Sequence, residues 1–317
     1  MPVDPNRIAD QVLLASPLFA LVFLGYGLGR WGGWGKEASK ALSAFVFTVA
    51  MPALLFRQMA GFGELSGVDA RLLIAFFGGC LVVFVVGRLL SWRLFGHNGV
   101  EQSVFGLGGV FSNNVLLGIP IAHLLLSERH IPPVALALVF NALVLWTLVT
   151  ASVEWARHGE LSLHGIGRTL RGVITNPVVA SIVGGAIYGF AGLEIPAVID
   201  RPMAMLAEAT GPMSLVALGL SLAEFGIRKG WKASSTIAAV KLLLHPLAVW
   251  GIARAIGLPL IETQAVVMMA SLATGVNVYL MSRQFEALEG ETSAALLIST
   301  ALSAVTVPLW IAATVAL

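Results

Sequence analysis

Charged side chains are scarce in this chain. Its 19 Lys and Arg and 17 Asp and Glu amount to 11% of 317 residues, where a soluble globular domain carries about 25%. That is too little to solvate the surface of a water-soluble protein of this size. With a net charge of +2 and no basic stripe, the chain also offers no surface for a nucleic acid. The single cysteine, Cys80, excludes an intramolecular disulfide and a thiolate metal cluster. Set in an apolar run, it reads as a small buried side chain. Motifs of chemistry are missing too. There is no HExxH, no GxSxG and no nucleotide-binding loop, and the apolar runs hold too few acids for hydrolysis. An enzyme, an ATP-driven pump and a cofactor are therefore not expected. No polar segment is long enough for a soluble output domain, which argues against a sensor.

What the chain has instead is apolar length. It is 57% hydrophobic with a mean hydropathy of +0.88. Ten runs, at approximately 11–30, 40–60, 71–92, 103–126, 132–153, 173–191, 204–223, 234–256, 263–282 and 293–316, are each long enough to cross a bilayer as a helix. The fold class expected is an all-α integral membrane protein, with lipid as its surroundings. The opening "MPVDPNRIADQ" lacks the positive n-region of a signal peptide, so the first run is expected to stay as a span. Most breaks between runs are short. The longest and most polar, 154–172, divides the chain near its middle. With the N-terminus outside, twelve of the nineteen Lys and Arg fall in inner loops and six outside, with Lys241 left inside a span. The positive-inside rule then puts both termini on the non-cytoplasmic side.

The two halves repeat at an offset of 160 residues. Pro17 meets Pro177, Gly25 meets Gly185, Gly29 meets Gly189, Pro52 meets Pro212 and Glu64 meets Glu224, in one ungapped register. Five spans in each half is an odd number, so the second half must enter the membrane in the opposite sense. The expected organisation is a first five-helix repeat at 1–156, a cytoplasmic loop at 157–171 and an inverted repeat at 172–317. Inverted repeats are a recurring architecture of secondary transporters, whose sites lie where interrupted helices of the two halves meet.

Both fourth spans of the repeat are interrupted. Span 4 contains "FSNNVLLGIP" and span 9 contains "ATGVN". Gly118 and Pro120 are expected to break the first, Gly275 the second. Asn113, Asn114 and Asn277 offer amides to a substrate or to the freed backbone. The half-helix N-termini created by a break carry partial positive charge, which suits an anion.

"SNNVLLGIP", "NPVVASIVGGAIYGF", "GPMSLVALGLSL" and "ATGVNVYLMSRQF" together resemble the auxin efflux carrier family, and its bacterial members in particular, over essentially the whole chain. The resemblance implies two inverted five-helix repeats, related to the bile acid/sodium symporter fold, with helices 4 and 9 broken and crossing at the substrate site. It implies carriage of organic anions, auxin in plants and carboxylates such as malate in some bacteria, from the bacterial inner membrane. It maps a family asparagine onto Asn113 and the crossover proline onto Pro120, and it allows a homodimer, as in plant relatives. Many relatives have a second proline in span 9; here "ATGVN" has none, and Gly275 supplies the freedom instead.

Other polar residues inside spans are candidates for charge or proton roles: Lys241 with His245 one turn later, and Glu208 ahead of Gly211 and Pro212. Each has a plainer alternative. The Lys241 stem can snorkel to an interface, His245 can bond a neighbouring carbonyl, and Glu208 can cap the interface. His123 lies near the crossover, Asn141 reads as a helix–helix hydrogen bond, and Asn176 as a cap ahead of Pro177. A sodium-coupled symporter is the alternative mechanism. The crossover offers Ser112, Thr274, amides and carbonyls, but no acid, as oxygen ligands, and no metal site is expected.

Overall fold

A computed structural model describes residues 5–60, 68–158, 177–223 and 230–316. The proposed cap at Asn176, the Glu64/Glu224 pair and most of the 157–171 loop lie outside these residues. The described chain is helical, and no strand is named within it. Backbone in hydrocarbon must bond to itself, and the helix is the way one segment can do so. In order, the helices are α1 Pro5–Arg30, α2 Lys36–Phe45, α3 Met51–Ala60, α4 Arg71–Phe95, α5 Gly99–Val110, α6 Ile119–Leu125, α7 Ile131–His158, α8 Pro177–Phe190, α9 Ala197–Ala223, α10 Trp231–Ala239, α11 His245–Ala255, α12 Leu260–Ser271, α13 Val276–Gln284 and α14 Glu289–Ala316. Among the described residues, six helical segments are long and apolar enough to cross a bilayer alone, and four shorter apolar helices accompany them. Each of the ten apolar runs falls on one of these. Two runs, 103–126 and 263–282, are each split between two helices.

Local chemistry sets the ends that matter. Gly96, with φ of +65°, closes α4 in the left-handed conformation, which a residue without a Cβ adopts readily. Asn98 then opens α5 with a capping box. Its Oδ1 accepts the N–H groups of Val100 and Glu101 at 3.0 Å, while Glu101 Oε2 accepts the Asn98 N–H at 2.8 Å.

Among the described residues, three wide turns of π-helix interrupt the bundle, at Val46–Ala50, Asn114–Gly118 and Val240–Leu244. Each ends two residues before a proline: Pro52, Pro120 and Pro246. Proline lacks an N–H and its ring crowds the carbonyl four residues back, so a widened turn ahead of it relieves both problems. At the third turn, the carbonyl of Leu242, whose α-helical donor would be position 246, accepts the indole N–H of Trp310 at 2.8 Å.

Close helix pairs are made by glycines. A Cβ on Gly25 would overlap the carbonyl of Val216, and one on Gly185 the carbonyl of Phe56; one on Gly29 would meet Ala223 and Leu220, and one on Gly189 the carbonyls of Met59 and Ala60. Thus α1 packs on α9 and α3 packs on α8 through small-residue faces. The partners also interchange at the offset of the sequence repeat: 25 with 216 becomes 185 with 56, and 29 with 220 becomes 189 with 60.

Candidate functional site at the crossing of two broken helices

The chain leaves α5 at Phe111, which is extended (φ −79°, ψ 104°), and re-enters helix only at the π turn beginning with Asn114. It leaves α12 at Leu272, also extended, and resumes at Val276. The two unwound stretches lie side by side and antiparallel, with Ser112 bridged to Thr274. The Asn113 N–H donates to the Ala273 carbonyl at 2.9 Å, and the Gly275 N–H to the Phe111 carbonyl at 2.8 Å. Backbone that has left a helix at membrane depth must find partners within the protein; here each break supplies the other.

One expectation needs correction. Gly118 and Pro120 do not break the helix. The break lies ahead of them, at Phe111–Asn113; Gly118 sits in the π turn and Pro120 near the start of α6. Helix runs on from the π turn through Pro120, and the widened turn accommodates the missing N–H and the ring. Gly118 serves the crossing differently: a Cβ there would come 2.7 Å from the Leu272 side chain of the opposite break. Gly275 matches its expected place in the second break. A Cβ there would meet the Ser112 carbonyl oxygen at 3.0 Å, so its lack of a side chain permits the close approach.

The side chains at the crossing are buried and short of partners. Ser112, Asn113 and Asn114 are all nearly sealed from solvent. Ser112 Oγ, Asn113 Nδ2 and both amide atoms of Asn114 have no hydrogen-bond partner. Buried polar groups are ordinarily satisfied, and leaving one unmade costs about 1–3 kcal/mol. Asn277 is half-buried in the first turn of α13. The second break is better held: the Thr274 N–H donates to Ser299 Oγ at 3.0 Å, and Thr274 Oγ1 donates to the Gly108 carbonyl at 3.2 Å. Ser299 was not singled out in the sequence, where nothing distinguishes it from other serines of its span.

Beside α6 lies a cleft of about 570 Å³, lined by Pro120, His123, Arg57, Glu208, Gly211 and Pro212 among others. That is within the range of small-molecule sites. Glu208 is exposed toward it, and His123 Nδ1 stands 3.7 Å from Glu128. Arg57 forms a two-pronged ion pair with Asp200, 2.6 and 3.1 Å, tying α3 to α9. In the sequence Arg57 counts only as an outer charge, because its acid partner is 143 residues away.

Lys241 and His245 are elsewhere, behind the crossing, and completely buried. Snorkelling is overturned for Lys241: its ammonium turns inward and donates to the Ala270 carbonyl at 2.5 Å. His245 Nδ1 lies 3.2 Å from Lys241 Nζ and its Nε2 lies 3.3 Å from Cys80 Sγ, and the ring also reaches the Ala270 carbonyl, the plainer role expected of it. Asn141 is buried, but its Oδ1 has no partner; the helix–helix bond expected of it is not made by that atom. Outside the spans, Asp69 is held below the usual carboxylate range by Arg71, whose Nε and Nη2 donate to it at 2.6–3.0 Å.

Two opposed broken helices, sealed polar groups at their crossing and a cleft alongside define a multi-pass membrane protein of the transporter class. The chain belongs to the auxin efflux carrier family: the model of that family, described as membrane transport protein, matches residues 14–311. A candidate malonate transporter of Rhizobium meliloti is 29% identical over 303 residues, 95% of this chain and 94% of that one. The uncharacterized transporter YfdV of Escherichia coli is 25% identical over 311 residues, covering 93% and 95%. The lysosomal cholesterol signaling protein of mouse is 25% identical over 266 residues, 77% of this chain but 30% of that protein.

Proposed function

We propose that this protein is a secondary carrier of small carboxylates, short dicarboxylates such as malonate among them, binding its anion where the two broken helices cross. The observation that carries the reading is the cluster of unpartnered buried groups, Ser112, Asn113 and Asn114, in one break facing the other. Two half-helices begin at this crossing, at Asn114 and Val276. Their N-termini direct partial positive charge and free N–H groups to the same region. Asn113, Asn114 and Asn277 donate to the carboxylate. Gly118 and Gly275 admit the close backbone approach, and Pro120 follows the π turn with which the half-helix begins. The name of the Rhizobium relative supplies the choice of malonate as first substrate.

Alternating access operates between panels made by α1–α3 with α8–α9 and a core made by the remaining helices, the division used by the family. The interchange of Gly25/Val216 with Gly185/Phe56 supports two inverted five-helix repeats, 1–156 and 172–317. A two-fold relation between halves requires that a contact from residue i to j recur from j to i. Asn113 and Ala273, bonded to each other at the crossing, are themselves 160 residues apart, which supports a two-fold relation that passes through the site. Both termini lie on the non-cytoplasmic side of a bacterial inner membrane, and the cleft lined by Arg57 and Glu208 is the outer vestibule.

The test is counterflow of radiolabelled malonate, succinate, malate, lactate and indole-3-acetate into proteoliposomes, with Asn113→Ala alongside. Saturable malonate flux that falls in the variant is expected. Equal flux in parent and variant would take Asn113 out of the site, and absence of flux for every acid would overturn the substrate class.

A further inference from the structure

The Lys241 ammonium has no acid beside it. The groups facing it are the Ala270 carbonyl, the His245 ring and, beyond the ring, the Cys80 thiol. Among the described residues no carboxylate pairs with it. Ala270 is in the last turn of α12, which ends at Ser271 where the second break begins. A helix C-terminus presents carbonyl oxygens and about half a negative charge. In a membrane no water reaches it, and unwound carbonyls and half-helix C-termini are where carriers of this kind coordinate sodium or a proton. Here that position already holds a cation, on a stem from the adjacent π turn. The turn itself packs against the other broken helix, since a Cβ on Gly109 would come 2.7 Å from Val240. The His245 ring stands between the ammonium and the thiol, with Nδ1 3.2 Å from Lys241 Nζ and Nε2 3.3 Å from Cys80 Sγ.

We propose that Lys241 is a tethered counter-cation occupying a monovalent-cation site at the C-terminal end of α12, so that this carrier needs no sodium to bind its anion. The inference rests on the crossing being the anion site. It deepens that reading by assigning the coupling charge to the chain itself. The first half of the chain has no equivalent. The residue 160 positions earlier is Leu81, which is exposed, and the matching end of α5 is served by the neutral Thr274 hydroxyl at Gly108. One such site is therefore expected, not two.

The test uses the full chain in nanodiscs, melted by intrinsic tryptophan fluorescence in choline, sodium or methylammonium chloride at equal ionic strength. The parent should melt at one temperature in all three. Lys241→Ala opens a hole at the site and should melt lower in choline, with sodium or methylammonium restoring several degrees. Lys241→Gln keeps a donor for Ala270 but no charge, and its malonate flux in choline should fall about tenfold, within the usual range of coupling between two sites. A sodium-raised melting temperature for the parent would overturn the proposal. So would indifference of folded Lys241→Ala to both cations, or parent-like melting and flux for Lys241→Gln, which decides the matter where Lys241→Ala does not fold. If the parent moves no carboxylate, the transport reading fails, while the melting temperatures still decide whether the cation site exists.

Discussion

Replacing Gly275 by alanine tests the crossing at its tightest point. The backbone there needs no left-handed angle, so the effect is steric. The new Cβ would stand 3.0 Å from the Ser112 carbonyl oxygen, 3.1 Å from the Phe111 ring and 3.2 Å from the Ser112 carbonyl carbon. The ring can swing away, but the carbonyl is backbone. It is held by the Gly275–Phe111 and Asn113–Ala273 bonds on either side, 2.8 and 2.9 Å long. Parting the stretches by a few tenths of an ångström weakens two buried bonds, each with a net worth of about 1 kcal/mol, and overpacking of this kind costs about 1–3 kcal/mol. Alanine returns about 0.4–1 kcal/mol by restricting the unfolded chain. A loss of about 1–2 kcal/mol follows, read as a melting temperature lower by about 2–8 °C. Gly251→Ala is the control, because nothing lies within 4 Å of a Cβ there; it should melt no lower than the parent. Malonate flux should fall for Gly275→Ala and not for Gly251→Ala. If Gly275→Ala melts and transports as the parent does, the two breaks are not in contact as described, and the site loses its frame.

Asn113→Ala should separate binding from stability. It removes a buried donor that has no partner in the ligand-free protein, so melting should hold or rise, while loss of a hydrogen bond to a charged carboxylate lowers apparent affinity about tenfold or more; isothermal binding alongside melting checks both. Trp310→Phe strands the Leu242 carbonyl in its π turn and should cost about 1–3 kcal/mol, measured by denaturation in mixed micelles. Arg57 and Asp200 are each about a third exposed, so a double-mutant cycle with Arg57→Gln and Asp200→Asn should give only a small coupling, shrinking further in high salt.

Helix positions were legible because membrane spans are written in composition. Each of the apolar runs lands on a helix, and "GHNGVEQ" announces both the end of α4 and the start of α5. The place of interruption in span 4 was legible; its detail was not. Gly118 and Pro120 are strong breakers by propensity, yet Pro120 is accommodated by a π turn, and the chain unwinds earlier, where Phe111 and Ser112 give no such sign. The unwinding there is compensated by backbone bonds to residues 273–275, a tertiary effect that no local window contains. The asparagines could be named as polar groups in an apolar place, but only coordinates show that three neighbouring side chains lack partners. Lys241 was visible as an ionisable residue in a span, and its inward turn was not, since the acceptor at Ala270 is a main-chain carbonyl that any residue could have supplied. Arg57 and Asp200 meet only because α3 and α9 do.

The charge balance at the crossing bears on what the carrier can accept. No Asp or Glu occurs between Gln102 and Ser127, nor between Thr263 and Gln284, so neither broken helix brings a carboxylate to its own break. Two half-helix N-termini converge there with partial positive charge, and the one fixed charge behind them is the Lys241 ammonium. A cation entering this region would find carbonyl oxygens already engaged, at Ala273, Phe111, Ala270 and Gly108. An anion meets donors that are not engaged, at Ser112, Asn113 and Asn114. The two breaks spend several main-chain carbonyls on each other and leave the Ser112, Asn113 and Asn114 side chains over, a balance that supports the proposed anion as cargo.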